Sequence, residues 1–307
     1  MKLFLFGLFK PQEPQQSFRD ALRGICDEYR EHSWVDDIPN ARKDFHRIMA
    51  EFKPDVVFMQ LQEGDIIKAS TLVRYPNVKF FNFSGDVRHI FPPWHFEIAP
   101  YCTTLFTNTE WVSIMTGRGF RARYFQIGFD ENIYKPDGPK AETAPVVFMG
   151  NNHGTNFELS PLRNEMIKRF SSKPWFKFYG RGFPGAIDMN YRQQEEAAIY
   201  RGAKIGINLS HMDLDCYTSD RMFRIMGCGT LCLAYKHKGI EKEFSDSGDV
   251  VIWQTLADLD ELIDYYASEN SPMGNYNRSR IALKGCKLVH SKYTWAARLQ
   301  QDLIPLL

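Results

Sequence analysis

Tyr200 to Tyr235 reads Y-R-G-A-K-I-G-I-N-L-S-H-M-D-L-D-C-Y-T-S-D-R-M-F-R-I-M-G-C-G-T-L-C-L-A-Y. Ile205 to Leu209 is a short apolar run of the kind buried on both faces of a parallel sheet. A polar loop follows, and Ser219 is a good N-cap for a helix that begins at Asp220. Gly227 and Gly229 then make a tight turn into a second apolar strand, Thr230 to Ala234. A strand, a loop and a helix start in this order place free backbone N–H groups where a phosphate binds. Arg221 lies in the first helical turn, with Arg224 three residues on and nearly on the same face. A cation there opposes the helix dipole and needs compensation, from a bound anion or from Asp220, Asp213 or Asp215.

Working outward, strand and helix signals alternate along the chain. In the first half the strand candidates are residues 2–9, 55–61, 78–83, 103–108 and 123–127, separated by helical patterns at 16–30, 41–52, 66–75 and 110–118. Alternation of this kind predicts a parallel sheet covered on both faces. Phe129 to Pro145, with Pro136, Gly138 and Pro139 among clustered charges, reads as a linker. The second half repeats the theme, with strands at 146–149, 175–179, 205–209, 230–234 and 250–253 and helices at 160–170, 193–204, 220–226 and 256–267. Residues 277–307 hold no strand and read as two helices meeting near Tyr293-Thr294, whose Trp295, Leu299 and Leu303 need a core to enter. The predicted fold class is α/β, two Rossmann-like doubly wound domains over 1–140 and 141–285, with a carboxyl-terminal helix, 286–307, packing back across the first. Ligands of such sheets bind at strand carboxyl ends, so the expected active site is a cleft between the domains.

Composition bounds the function. With 307 residues, 44% apolar content and a formal net charge of +1, no global field draws the chain to nucleic acid or an anionic membrane. The six cysteines form no C-x-x-C pair, which favours reduced thiols in a cytoplasmic protein over zinc or disulfides. The opening K-L-F-L-F-G-L-F is short, lacks a small-residue cleavage site and runs into Lys10-Pro-Gln-Glu-Pro, so it reads as a first buried strand rather than a signal peptide. No apolar run has the length of a membrane span.

Ser219-x-Arg221-x-Phe223, the glycine turn, the strand Leu231-Cys-Leu-Ala and Gly239-Ile-x-x-x-Phe244 together resemble the carboxyl-terminal domain of GT-B glycosyltransferases, closest to the CgeB-like branch of the group 1 type. Val250-Val-Ile-Trp, Arg280-Ile-Ala-x-x-Gly285, Val289-His290 and Tyr293-Thr-Trp with Arg298 continue the likeness, and Phe148-Met-Gly-Asn151 is similar to that domain's first strand. The resemblance covers most of Val78 to Leu307 and is thin before that. It implies a transferase that uses a nucleotide-diphosphate sugar, a UDP-sugar, as co-substrate, with no prosthetic group and no metal in the chemistry, and with a hydroxyl acceptor on the first domain. One departure stands out. Neighbouring retaining families carry a pair of glutamates, one of them on the nucleotide ribose, at the positions held here by Cys216 and Arg224. A guanidinium cannot accept from ribose hydroxyls, so Arg224 is left to grip the diphosphate, stack on the base or pair with Asp220.

The leaving diphosphate needs donors and positive charge. Tyr217, Ser219, Asp220, Arg221 and Arg224 are the donor-side candidates at the helix start. Arg181, between two glycines, and Asn151, after the domain's first strand, are further candidates whose residue types would equally suit plain turns. In the first domain Asp86 follows an apolar strand that breaks at Ser84-Gly85, the place for a base that takes the acceptor's proton. Its alternative reading is a helix cap. Arg88 or His89 would orient it, Glu63 is the reserve base, and Lys10 stands on the acceptor side. Asp213-Leu-Asp215 and Asp258-Leu-Asp260 spell the D-x-D of metal-dependent transferases, a triplet common by chance. Arg118, Arg121 and Arg123 beside Phe120 and Tyr124 read as a solvated edge, or as contacts for a hydroxymethylated DNA base in a virus-type DNA glycosyltransferase. A noncatalytic nucleotide- or sugar-binding protein is the alternative of another class.

Overall fold

The computed structural model describes residues 1–10, 15–35, 37–189 and 192–307. The chain folds as two compact units, Met1–Ile127 with Trp295–Leu307, and Gly128–Thr294. Residues 11–14, the Pro-Gln-Glu-Pro after the first strand, lie outside the described residues.

The first unit is a six-stranded parallel sheet in the order β2-β1-β3-β4-β5-β6. Its strands are β1 Lys2–Gly7, β2 Glu28–Ser33, β3 Val56–Met59, β4 Lys79–Ser84, β5 Cys102–Phe106 and β6 Ala122–Tyr124. Helices α1 Gln16–Arg23, α2 Ala41–Phe52, α3 Ala69–Leu72, α4 Trp94–Ile98 and α5 Thr109–Thr116 connect them. Successive side chains of a strand point to opposite faces, and both faces of β1 are apolar. Phe4 and Phe6 join Phe45, Ile48 and Met49 of α2 in one core. Leu3 and Leu5 join Phe18 and Leu22 of α1 in the other, which also takes Trp295, Leu299 and Leu303 from the end of the chain. The carboxyl-terminal segment therefore completes the core of the first unit, as its apolar residues required.

Residues 24–30 depart from the expected helix. The helix ends at Arg23, and Glu28–Ser33 forms the edge strand β2 beside β1. Its sequence, E-Y-R-E-H-S, carries no apolar run because an edge strand is protected by charge.

The second unit is a five-stranded parallel sheet in the order β11-β10-β9-β7-β8. It comprises β7 Val146–Met149, α6 Ser160–Phe170, β8 Phe176–Tyr179, α7 Gln193–Gly202, β9 Ile205–Asn208, α8 Asp220–Gly227, β10 Leu231–Tyr235, β11 Val251–Trp253, α9 Leu256–Ala267 and α10 Pro272–Lys292. A short helix, α11 Trp295–Arg298, and a π-helical turn, Leu299–Leu303, follow in the first unit. The linker, residues 129–145, belongs with the second unit, so the first unit's leading segment ends at Ile127 rather than at residue 140; Arg201 of α7 donates to the carbonyls of Ile133, Lys135 and Pro139. That unit extends to Thr294 rather than 285, since α10 runs unbroken to Lys292 and lies on α8, where Cys286 and His290 meet the Gly227 carbonyl. All six cysteines are free thiols. Among the described residues no helix is long and apolar enough to cross a membrane.

Candidate functional site

In the second unit the chain runs from β7 outward to β8, then returns to place β9 on the other side of β7. Such a reversal opens a crevice at the strand carboxyl ends. A cavity of about 150 Å³ lies there, walled by Met149, Gly150, Asn151 and His153 after β7, Tyr179 and Gly180 after β8, and Glu196, His211, Asp220, Arg221 and Arg224. Glycines set its floor. Gly180 has φ +144°, and a Cβ on it would lie 2.2 Å from the Gly150 carbonyl oxygen. A Cβ on Gly150 would press on the Phe148 ring and on an Arg221 nitrogen at 3.0 and 3.3 Å.

Ser219 takes the N-cap position of α8 but does not cap with its side chain. Its hydroxyl donates instead to Asn208 Oδ1, 2.9 Å away at the end of β9, leaving the helix N–H groups without that acceptor. Among the described residues Arg221 Nη1 reaches only neutral acceptors, Leu209 O at 3.3 Å and, at the limit of bonding, Asn208 Oδ1 at 3.5 Å. None of the three carboxylates available to compensate it does so. Asp220 pairs with Arg224, Asp215 with Lys242, and Asp213 accepts the Lys238 backbone N–H. The two acids of this D-x-D are thus held by the 238–242 segment, and Asp258 of the other sits in the capping box of α9 with Thr255.

A second cation lies behind Arg221. Arg163 of α6 is 1% exposed, and its guanidinium donates to Asn151 O at 3.1 Å, to Leu209 O, and to His211 Nε2 at 2.8 Å. No carboxylate offsets it: burial and the neighbouring Arg221 charge both act against its own charge, which a guanidinium nevertheless keeps. Both cations lie over the Phe148 ring, 5.4 and 5.5 Å from its centre. Since Arg163 can only donate, His211 Nε2 accepts, and its remaining proton sits on Nδ1, a buried atom with no partner among the described residues. Burial, then Arg163 and Arg221, push the pKa of His211 down to about 2, and the same causes lower that of His153. Arg221 and Arg163 thus carry their charge on neutral partners, while the carboxylates of the same wall, Asp220 and Glu196, are engaged by Arg224.

Arg224 has the opposite fate. It pairs with Asp220 and, at 3.2 Å, with Glu196 of α7, and lies over the Tyr134 ring. The Tyr134 hydroxyl donates to the same Glu196 at 2.7 Å. Burial opposes its charge, but Asp220 and its other neighbours outweigh burial, so its pKa stands well above the ordinary value. Arg224 is internally neutralised, and the carboxylate absent from its own position reaches the cavity from α7 as Glu196.

Other sequence candidates are placed less centrally. Asn151 lines the cavity, and its Oδ1 accepts the Arg181 backbone N–H at 2.9 Å. The Arg181 side chain is exposed and paired with Asp188, outside the cavity lining. Tyr217 is half-buried in the loop before α8 and is likewise not in the lining. In the first unit Lys10, Glu63, Asp86, Arg88 and His89 are all exposed and lie beyond the carboxyl ends of β1, β3 and β4. Asp86 does not cap a helix, because α4 begins only at Trp94 with Pro93 at its cap.

Comparison with known proteins follows the geometry. Sucrose-phosphate synthase from Thermosynechococcus elongatus superposes over 100% of this chain and 98% of its own, with a TM-score of 0.68 at 10% identity. The fold is GT-B. HepE of Anabaena, in complex with UDP, shares this GT-B fold over 100% of this chain and 99% of its own, with a TM-score of 0.65 at 12% identity. So does a putative UDP-N-acetylglucosamine 2-epimerase from Listeria monocytogenes, over 99% and 95%, with a TM-score of 0.57 at 10% identity. The GT-B architecture alone therefore does not choose an activity. Residues 161–303 match a family model described as glycosyl transferase-like, which covers most of the second unit. No curated protein matches the sequence.

Proposed function

We propose that the chain transfers a sugar from a UDP-sugar to a hydroxyl acceptor without a metal ion. The observation that carries this reading is the pair Arg221 and Arg163, two cations at a crevice with only neutral partners. A diphosphate supplies the missing charge, and a leaving diphosphate is what fixed cations stabilise in sugar transfer. Arg221 grips the phosphates directly, while Arg163 acts through the buried field and through His211. Glu196 accepts from the ribose hydroxyls, and Asn151 with the Gly150 backbone holds the donor's flank. The glycosyl transferase-like match of residues 161–303 and the UDP bound to HepE support the same choice. Arginines take the role a divalent ion would otherwise have on the diphosphate.

On the first unit Asp86 takes the acceptor's proton, with Arg88 or His89 orienting it, Glu63 in reserve and Lys10 beside them. The test is a donor screen by mass spectrometry with hydroxymethylated DNA, small glycans and peptides as acceptors, in the presence of a chelator. Transfer, or slow hydrolysis of one UDP-sugar, is the expected result. Loss of all turnover in chelator with recovery in manganese contradicts the metal-free route, and binding of UDP without any turnover marks a noncatalytic nucleotide-binding protein.

A further inference from the structure

A cavity of about 570 Å³ lies at the opposite end of the first sheet, at the amino ends of β4, β5 and β6. Its volume suits a small ligand. Lys79, Arg121 and Arg123 line it, with Tyr75, Pro76 and Tyr101 as flat walls, and no carboxylate lines it. Some exposed cations of this unit are matched to acids, Lys2 to Glu28, Arg30 to Glu51 and Arg47 to Asp44. Among the described residues the Arg123 side chain donates only to the Ala122 carbonyl, while Lys79 is engaged by the main-chain oxygen of Leu307, which leaves the two arginines as the cations of the cavity. Arg121 is exposed beside Arg123. The third arginine of the sequence cluster, Arg118, turns onto the Phe96 ring, 3.9 Å from its centre, and stays outside the cavity. That argues against an extended basic track for a polymer and for a local, solvent-open pocket with two guanidiniums at one side. Tyr75 is fixed in place by its hydroxyl contact with His46 Nδ1 at 2.8 Å, so it offers a rigid wall.

We propose that this cavity binds a small phosphorylated molecule that carries a ring, with the phosphoryl group on Arg121 and Arg123 and the ring against Tyr101 and Tyr75. Guanidinium forks suit phosphoryl oxygens, and tyrosine faces suit either a sugar or a base. The site is separate from the crevice of the second unit and does not depend on the donor assigned to it.

The experiment is isothermal titration of the Arg221→Ala protein, which removes the phosphate grip in the second unit, with AMP, glucose 6-phosphate, inorganic phosphate and a short single-stranded DNA. AMP or glucose 6-phosphate is expected to bind, and Arg121→Ala with Arg123→Ala is expected to weaken that binding at least about tenfold. Both arginines are exposed, and an unchanged circular dichroism spectrum shows that the fold survives. Tyr101→Ala is expected to weaken the ring-bearing ligand and leave inorganic phosphate unaffected. The proposal is overturned if neither ring phosphate binds, if the double variant binds as well as its parent, or if only the DNA binds. An equal loss for inorganic phosphate in Tyr101→Ala removes the ring from the proposal.

Discussion

The two sheets reverse their strand order in the same way, yet they treat the resulting crevice differently. In the first unit the reversal lies between β1 and β3, and Gln60 fills it: its Oε1 accepts the Leu8 N–H at 2.9 Å and its Nε2 donates to Gln15 at 3.0 Å. In the second unit the reversal between β9 and β7 stays open and is charged by Arg221 and Arg163. A neutral amide plug satisfies its neighbours and asks for nothing further. Two cations on neutral acceptors remain electrostatically incomplete until an anion arrives. The comparison teaches that the same strand reversal arises twice and that charge distinguishes the two crevices, which is the basis for proposing the second as the phosphate site. In the proposed reading the exposed polar residues of the first unit serve the acceptor.

The sharpest way to break this contrast is Asp86→Asn. Turnover is expected to fall by about 10²–10⁴-fold, the usual range for a lost general base, while UDP affinity is unchanged. A parallel loss of UDP binding would show that the two edges do not divide the work as described. Arg221→Ala comes next and acts on the other side. It removes charge-assisted bonds of about 1.5–3 kcal/mol each, so UDP affinity measured by titration calorimetry should fall by about a hundredfold. The partition on α8 is tested beside it: Arg224→Met should cost stability rather than affinity, because that guanidinium is committed to Asp220 and Glu196.

Gly180→Ala tests the floor of the open crevice. A Cβ 2.2 Å from the Gly150 oxygen at φ +144° forces the two loops apart, and chemical denaturation should show a loss of about 3 kcal/mol. The smallest effect is pH-dependent and belongs to the first unit. His95 is fully buried among aromatic rings, and burial pushes its pKa down to about 3. The unfolded imidazole takes a proton near its ordinary 6.5 while the folded one does not. Its contribution to stability is therefore complete above that pH and is lost as pH falls toward the folded value, with a slope approaching ~1.4 kcal/mol per pH unit. His95→Phe should flatten that part of the denaturation profile, and an unchanged slope assigns it to carboxylates.

Much of this was legible in the sequence because buried parallel strands are apolar runs. Val146–Met149, Ile205–Asn208 and Leu231–Tyr235 stand within a residue or two of where periodicity puts them. The edge strand Glu28–Ser33 was not, since charge, which protects an exposed edge, also erases the strand signal. The site shows the same split. Arg221, Asp220 and Asn151 follow from strand ends and a helix start, features local in sequence. Arg163, Glu196 and His211 do not, because each enters the crevice from a different element and reads alone as an ordinary polar residue on an amphipathic segment. The mismatch at position 224, an arginine left to grip the diphosphate, stack on the base or pair with Asp220, resolves as the last of these, with Glu196 as a second partner that the sequence did not reveal. Likewise, the N-cap expectation for Ser219 was right in position and wrong in partner, since sequence does not show that Asn208 would compete for its hydroxyl.

The most direct test of the central claim is a crystal structure of the chain with UDP. The account predicts the diphosphate in the crevice of the second unit, hydrogen-bonded to Arg221, with the ribose at Glu196 and Arg224 still paired to Asp220. A nucleotide bound elsewhere, or one in the crevice gripped by Arg224 while Arg221 keeps its bond to the Leu209 carbonyl, would contradict it.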